Sequence, residues 1–80
     1  MKEMNIGNIS LEKGSIIKTK YDCVTKVIDF KREAISCNSI IIVDKECKGQ
    51  YDEKYGYDRT YGENYWIYPG EVAEVLEKEV

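Results

Sequence analysis

The chain has 80 residues, a hydrophobic fraction of 42 %, a charged fraction of 34 % and a formal net charge of −3. This length predicts a single domain, and this composition is that of a folded globular chain rather than a disordered one. The mild negative charge argues against a general binder of duplex DNA, which needs many lysines or arginines to displace counterions from phosphate.

Several kinds of catalytic and metal site are excluded because the chain lacks the residues that they need. Histidine is absent, which excludes Ser-His-Asp and Cys-His catalysis and most zinc sites. The three cysteines, Cys23, Cys37 and Cys47, form no CxxC pair and follow no secretory signal peptide. We therefore expect reduced thiols, mostly buried as small apolar groups, in a cytoplasmic protein. The longest apolar run has four residues, at 40–43, far fewer than the ~18 needed to cross a membrane, so no membrane association is expected.

The N-terminal part of the chain leads into a first predicted strand. Residues 1–10 show no clear period and are predicted to form a flexible or edge segment. Gly14 marks a turn, because glycine adopts positive φ at no steric cost. The strand is predicted over residues 15–21, where apolar and polar side chains alternate. The residues that share its inner face are Ile17, Thr19 and Tyr21.

The segment 11–50 is predicted to supply the strands of a barrel. A second strand is expected over residues 23–30. The side chains that share its apolar face are Val24, Ile28 and Phe30. Residues 40–43 are all β-branched, which favours a strand buried on both sides and disfavours a helix, because branching restricts χ1 against the preceding turn.

Segment 51–64 is predicted to be a tyrosine-rich hairpin or loop. It opens with the hexapeptide Tyr-Asp-x-x-Tyr-Gly twice without a gap, at 51–56 and 57–62. Two such copies are too short for a solenoid, whose unit has about 20 residues or more. All four of its tyrosines have odd numbers, so an extended segment would place their rings on one face. The glycines at 56 and 62 permit turns that would break this parity.

Segment 65–80 is predicted to contain a closing strand, a turn and a tail. The aromatic run 65–68 favours a strand, which Pro69 ends because proline cannot donate to the strand ladder. The tail, 71–80, fits either helical spacing or one helical turn over residues 72–75 followed by a strand, and we favour the second interpretation.

These elements predict a mainly β fold, a small, strongly bent antiparallel β-barrel of four to five strands with one short helical turn near the C-terminus. The order of segments 14–19, 26–29 and 65–72 resembles that of Src-homology-type small barrels. Those have a strand that opens after glycine, a long hairpin, and an aromatic strand that runs into one helical turn before the closing strand. The resemblance covers residues 11–78 and implies a non-enzymatic binding module whose aromatic loops meet the partner. The tyrosine repeat departs from that pattern.

The tyrosine segment is the candidate binding surface. Tyrosine combines a large contact area, low rotamer entropy and one polar tip, which suits recognition of protein surfaces. Arg59 is predicted to be an interface anchor, with a surface ion pair to Asp58 or Glu63 as its alternative. The alternative for the whole segment is a structural hairpin whose rings pack on the barrel, and Trp66 is expected to pack in the core. The predicted partner-binding residues are Tyr51, Tyr55, Tyr57, Asp58, Arg59, Tyr61, Glu63 and Tyr65.

No catalytic residue, metal site or cofactor is predicted. Counted from Asp52, an EF-hand loop would need glycine where Tyr57 stands. A loop on so short a chain offers no deep cleft that would shift carboxylate pKa values for acid–base work.

Three hypotheses for function remain. The first is a cytoplasmic protein–protein interaction module, in one form a phage or mobile-element protein that inhibits a host defence protein in the host cytoplasm, as the lysine and isoleucine bias hints. The second is a binder or sponge of a nucleotide-like ligand or single-stranded nucleic acid, in which tyrosines stack on bases and Arg59 or Lys54 meets phosphate. The third is a homo-oligomer whose tyrosines are buried between copies.

Overall fold

The computed structural model describes residues 3–32 and 38–77. Within these ranges an antiparallel hairpin is followed by a six-stranded antiparallel sheet and two short helices. The elements in chain order are β1 (Glu3–Ile6), β2 (Ile9–Glu12), β3 (Ile16–Thr19), β4 (Val24–Arg32), β5 (Ser39–Val43), α1 (Gln50–Tyr55), β6 (Thr60–Tyr61), β7 (Asn64–Ile67), a 3-10 helix (Pro69–Glu71) and β8 (Val72–Glu77).

The six-stranded sheet has the order β6-β7-β5-β4-β3-β8. Its hydrogen bonding runs from β6 at one edge to β8 at the other, so the described strands form an open sheet rather than a closed barrel. The mainly β class is confirmed. A short helical turn precedes the last strand, as predicted, but it spans Pro69–Glu71, and residues 72–75, where the turn was expected, belong to strand β8.

The segment predicted to be flexible or at an edge contains most of the β1–β2 hairpin. Met4 pairs with Leu11 across this hairpin, and both side chains are buried in the same core as the large sheet. Gly7 supplies the positive φ that its turn requires. The hairpin is therefore joined to the rest of the molecule by apolar burial rather than by ladder hydrogen bonds.

Strand β5 lies at the centre of the core. Its four β-branched residues, 40–43, are all buried, as predicted, because β4 and β7 pair with it on either side. On β3, Ile17 and Thr19 face inward as predicted, whereas Tyr21 lies beyond the end of the strand and is exposed.

The predicted inner face of β4 is wrong because the strand contains a β-bulge. Val27 pairs with Val43 and Asp29 with Ile42, so one residue, Ile28, is inserted between them. The extra residue reverses the alternation, and Val27 and Phe30 are both buried although their numbers differ in parity. Val24 and Ile28, which were predicted to face inward with Phe30, are exposed.

Asp29 at this bulge is held by several donors. The Lys13 Nζ lies 3.0 Å from its carboxylate, the Phe30 N–H donates to it at 2.8 Å, and Lys31 Nζ lies 3.4 Å away. These contacts, with Lys13 foremost, lower the pKa of Asp29 to about 2. The bulge is thus fixed in part by a carboxylate that must be ionised.

Cys23 and Cys47 form a disulfide, so the prediction of reduced thiols is wrong for these two residues. The bond joins the turn after β3 to the loop after β5, and the two Cα atoms are 5.6 Å apart. The third cysteine, Cys37, lies with residues 33–37 outside the described residues. Disulfides persist mainly in oxidising compartments. The predicted cytoplasmic location was based on reduced thiols, so it remains a prediction that these two cysteines do not support. Within the described residues, no helix is long and apolar enough to span a membrane.

Candidate functional site

The first copy of the repeat forms the helix α1 rather than the predicted hairpin or loop. The Asp52 carboxylate accepts a hydrogen bond from the Gly49 N–H at 2.9 Å and so satisfies a donor at the start of the helix. Gly56 ends the helix in the left-handed region, with φ of 71°, and the Tyr57 N–H donates to the Asp52 carbonyl at 2.9 Å. The aspartate and the glycine of the repeat thus have capping roles in this copy.

The second copy has the same sequence pattern and a different structure. Its aspartate, Asp58, accepts hydrogen bonds from the Thr60 N–H at 2.9 Å and from the Thr60 hydroxyl at 2.7 Å. This local turn starts the β6–β7 hairpin, in which Gly62 adopts φ of 63° at the tip beside Glu63. The predicted hairpin therefore exists, but only in the second copy.

Three neighbouring tyrosines cover the outside of this region, and we name Tyr51, Tyr55 and Tyr57 the tyrosine face. Their side chains are 57, 58 and 54 % exposed. Tyr51 and Tyr55 stack with parallel rings whose centroids are 6.1 Å apart, because residues four apart lie on one face of a helix. The Tyr57 ring follows at 6.2 Å from Tyr55, tilted by 33°. Helix geometry brings Tyr51 and Tyr55 together and the turn at Gly56 adds Tyr57, so the rings do not share the face of an extended strand.

Beneath this surface lies a buried cluster that we name the arginine clamp: Asp52, Arg59 and Glu71. Arg59 is 5 % exposed, and its guanidinium binds both carboxylates through two hydrogen bonds each. Nε and Nη2 meet Asp52 at 2.9 and 3.1 Å, and Nη1 and Nη2 meet Glu71 at 2.6 and 2.9 Å. The clamp therefore joins α1, the loop after it and the 3-10 helix, three segments with no shared strand ladder.

Aromatic rings lie against the clamp. The Arg59 guanidinium carbon is 4.8 Å from the Trp66 ring centroid and 5.9 Å from that of Tyr68, distances typical of cation–π contacts. The Trp66 and Tyr68 rings meet edge to face at 5.0 Å. The Tyr21 ring packs on Gly49, where a Cβ would come within 2.6 to 2.9 Å of it. Trp66 is half-buried over the clamp, while Ile67 between the two rings is the residue that enters the core.

The protonation states of the clamp follow from these contacts. Burial by itself would raise the pKa of Asp52, but the hydrogen bonds from Arg59 and the Gly49 N–H outweigh it and hold the pKa below its usual value. Burial likewise opposes the charged form of Arg59, and the two carboxylates reverse that effect and raise its pKa. Burial and the nearby Glu71 carboxylate raise the pKa of Tyr21. All buried polar side-chain atoms of the described residues have a hydrogen-bond partner.

The predicted binding residues differ in exposure. Most are exposed, whereas Tyr65 is half-buried against the core and Arg59 is buried. Arg59 differs most from its predicted role, because it lies inside the molecule and pairs with Asp52 and Glu71 rather than with Asp58 or Glu63. Four of its five N–H donors are used and the side chain is buried, so it is not free to anchor a partner. The predicted residues that lie exposed are Tyr51, Tyr55, Tyr57, Asp58, Tyr61 and Glu63.

Within the described residues, no three Asp, Glu, Cys or His side chains come together to hold a metal ion, and no pocket is present. No family model, curated protein or solved structure matches the chain. What the site does is therefore inferred from its own geometry.

Proposed function

We propose that the protein is a non-enzymatic interaction module that binds a protein partner through the tyrosine face. The observation that carries this proposal is that three adjacent tyrosines each leave more than half of the side chain in solvent. Contiguous exposed patches of this kind are uncommon on soluble proteins unless another molecule covers them. Tyrosine is also among the residues enriched in interface cores and hot spots.

The way in which the rings are held supports the proposal. Helix α1 has six residues, and isolated helices shorter than about 12 residues are marginal in water. Asp52, in the middle of α1, is bound to Arg59 and through it to Glu71. The helix is thus fixed to the body by buried, charge-assisted hydrogen bonds, so the backbone that carries Tyr51 and Tyr55 is already folded before a partner arrives. Ordering before binding lowers the entropy cost of association.

The nucleotide alternative has less support. Arg59, its first candidate for phosphate contact, has both carboxylates of the clamp on its donors. The exposed charges between residues 50 and 63 are three carboxylates and one lysine, which repel a phosphate chain. The narrower hypothesis of a phage inhibitor of a host defence protein depends on composition alone and remains a prediction.

We also propose that the six-stranded sheet follows the strand plan of the Src-homology-type small barrels, with its β6 and β8 edges left open. The support is the order of its last elements, an aromatic strand β7 that runs into the 3-10 helix and then into β8. The long strand β4, with its bulge, pairs with both β3 and β5. Such barrels present binding loops on a rigid scaffold, and function still has to be argued from the loops themselves.

A capture experiment tests the proposed function. The tagged chain is compared with a variant carrying alanine at the three positions of the tyrosine face. A matched control carries Val24→Ala and Ile28→Ala, which truncate exposed apolar side chains on β4. We expect wild type and control to retain the same partner from a bacterial lysate and the face variant to lose it. If the face variant has the unfolding midpoint of wild type and still retains the partner, the proposal is contradicted. Sedimentation of the free chain tests the homo-oligomer alternative.

A further inference from the structure

The central ring of the tyrosine face already lies next to a cation. The Lys54 Nζ is 5.3 Å from the centroid of the Tyr55 ring, within the ~6 Å over which an ammonium is attracted to the negative face of an aromatic ring. Lys54 is an exposed side chain on a flexible stem, so the contact is exchangeable rather than built in. The contact shows that the Tyr55 ring is open to approach by a positive group.

More ring surface lies within reach of a group placed at Tyr55. The centroids of Tyr51 and Tyr57 lie 6.1 and 6.2 Å from it. A planar guanidinium is larger than an ammonium, is less strongly hydrated and stacks on aromatic faces. A guanidinium can therefore contact two adjacent rings of the face, whereas the Lys54 ammonium contacts one.

The charges near the face also favour a cation. The exposed charges of residues 48–63 are Lys48, Glu53, Lys54, Asp58 and Glu63, with a net charge of −1, and Lys48 is itself paired with Glu46 at 3.7 Å. The positive charge of Arg59 does not offset them, because it is buried between two carboxylates of its own. The whole chain carries −3. A positive segment is therefore attracted as it approaches, and a negative one is repelled.

We propose that the tyrosine face receives arginine or lysine side chains from a basic segment of the protein partner, with the arriving cation displacing Lys54 from the Tyr55 ring. This inference rests on the proposed function and adds the chemistry of the partner. The proposed ligand of the face is a basic polypeptide. Tighter binding of a nucleic acid in the test below would contradict it.

The test uses a blocked eight-residue peptide of alternating arginine and glycine, added to the full-length chain at low salt. Binding is followed by the ring proton signals of the tyrosines in NMR spectra. Matched probes are the same peptide with glutamate in place of arginine, and a single-stranded oligothymidine of similar charge number. We expect the arginine peptide to bind at least tenfold more tightly than either matched probe, with the largest shifts at Tyr51, Tyr55 and Tyr57. Equal or tighter binding of the oligothymidine or the glutamate peptide would overturn the proposal.

Three variants separate a cation–π contact from general apolar contact. Tyr55→Phe keeps the ring face and should retain binding within about twofold, whereas Tyr55→Leu should weaken it about two- to fivefold, as expected for loss of a contact of this kind. Lys54→Gln removes the competing cation and one repulsive charge, so it should tighten binding of the arginine peptide. Equal affinity of the phenylalanine and leucine variants, or weaker binding by Lys54→Gln, would overturn the proposal. Because these side chains are exposed, the variants are expected to fold, and their unfolding midpoints check that.

Binding of a protein partner and binding of a basic segment can be contradicted independently. If the lysate partner is captured through the tyrosine face but the arginine peptide does not bind, the protein-binding function stands and the basic partner is wrong. If the peptide binds through the face but no partner depends on the face, the cation site stands and the proposed function is wrong.

Discussion

Replacing Arg59 with methionine tests the arginine clamp most severely. Methionine keeps much of the apolar stem but removes the four hydrogen bonds to Asp52 and Glu71. Two buried carboxylates then remain without their cation, and breaking a buried ion pair from one side costs about 3 to 5 kcal/mol. A domain of 80 residues has a free energy of unfolding of about 4 to 12 kcal/mol. We therefore expect Arg59→Met to lose at least a quarter of the stability and to unfold a marginal chain.

Urea denaturation measures this loss. Far-UV circular dichroism is the primary signal, since the only tryptophan, Trp66, lies against Arg59 and its fluorescence would change with the substitution itself. The matched control is Asp52→Asn, Arg59→Met and Glu71→Gln together, which removes all three charges but keeps acceptors for the Gly49 and Tyr68 N–H groups. We expect the triple variant to be more stable than Arg59→Met alone, because the stranded charges are gone. If Arg59→Met is within about 1 kcal/mol of wild type, a range usual for exposed pairs, the clamp is not the buried structure described here.

The remaining predictions concern the disulfide, acid stability and the Tyr21 contact. Replacing Cys23 and Cys47 with serine should lower the free energy of unfolding by about 3 kcal/mol, because the bond spans 24 residues; equal stability in urea would contradict the bond. The pKa of Asp29 is about 2 when folded and about 3.9 when unfolded, so its contribution is complete above about pH 4 and is lost as the pH falls toward 2. Asp29→Asn should flatten the pH dependence of the unfolding free energy in that window, and an unchanged slope would count against the contact. Gly49→Ala should displace the Tyr21 ring and lower the pKa of Tyr21 toward its usual value, measured as the titration difference from Tyr21→Phe; no change in that titration would mean that the ring does not pack there.

The strands were largely predictable because their signals are local. Four adjacent β-branched residues at 40–43 predict a buried strand without knowledge of the rest of the chain, and Ile17 and Thr19 follow the two-residue period. The face of β4 was not predictable in this way, because the bulge at Ile28 depends on its register with β5. The Cys23–Cys47 bond joins loops that are distant in sequence and carries no spacing motif.

The candidate site was predictable in its exposed part only. The repeat indicated a tyrosine surface, but its two copies fold differently, since Gly49 and Asp52 start a helix and Asp58 closes a turn. Gly49, Asp52 and Gly56 are residue types typical of helix ends, but the second copy, which has the same aspartate and glycine, forms a turn and a hairpin. The role of Arg59 could not be read from its neighbours, because its partners lie 7 and 12 residues away on other elements. Trp66 and Tyr68 alternate around Ile67, so a strand places both rings on one face, where they lie against Arg59.

The affinity of the captured partner for the tyrosine face is the most direct test of the account. Isothermal titration would compare wild type, the variant with alanine at Tyr51, Tyr55 and Tyr57, and the control with alanine at Val24 and Ile28. Truncation of interface hot spots costs about 2 kcal/mol or more, so the face variant should bind at least about tenfold more weakly while the control binds like wild type. Equal affinity of the face variant and wild type, with both chains folded, would show that the exposed rings are not where the partner binds.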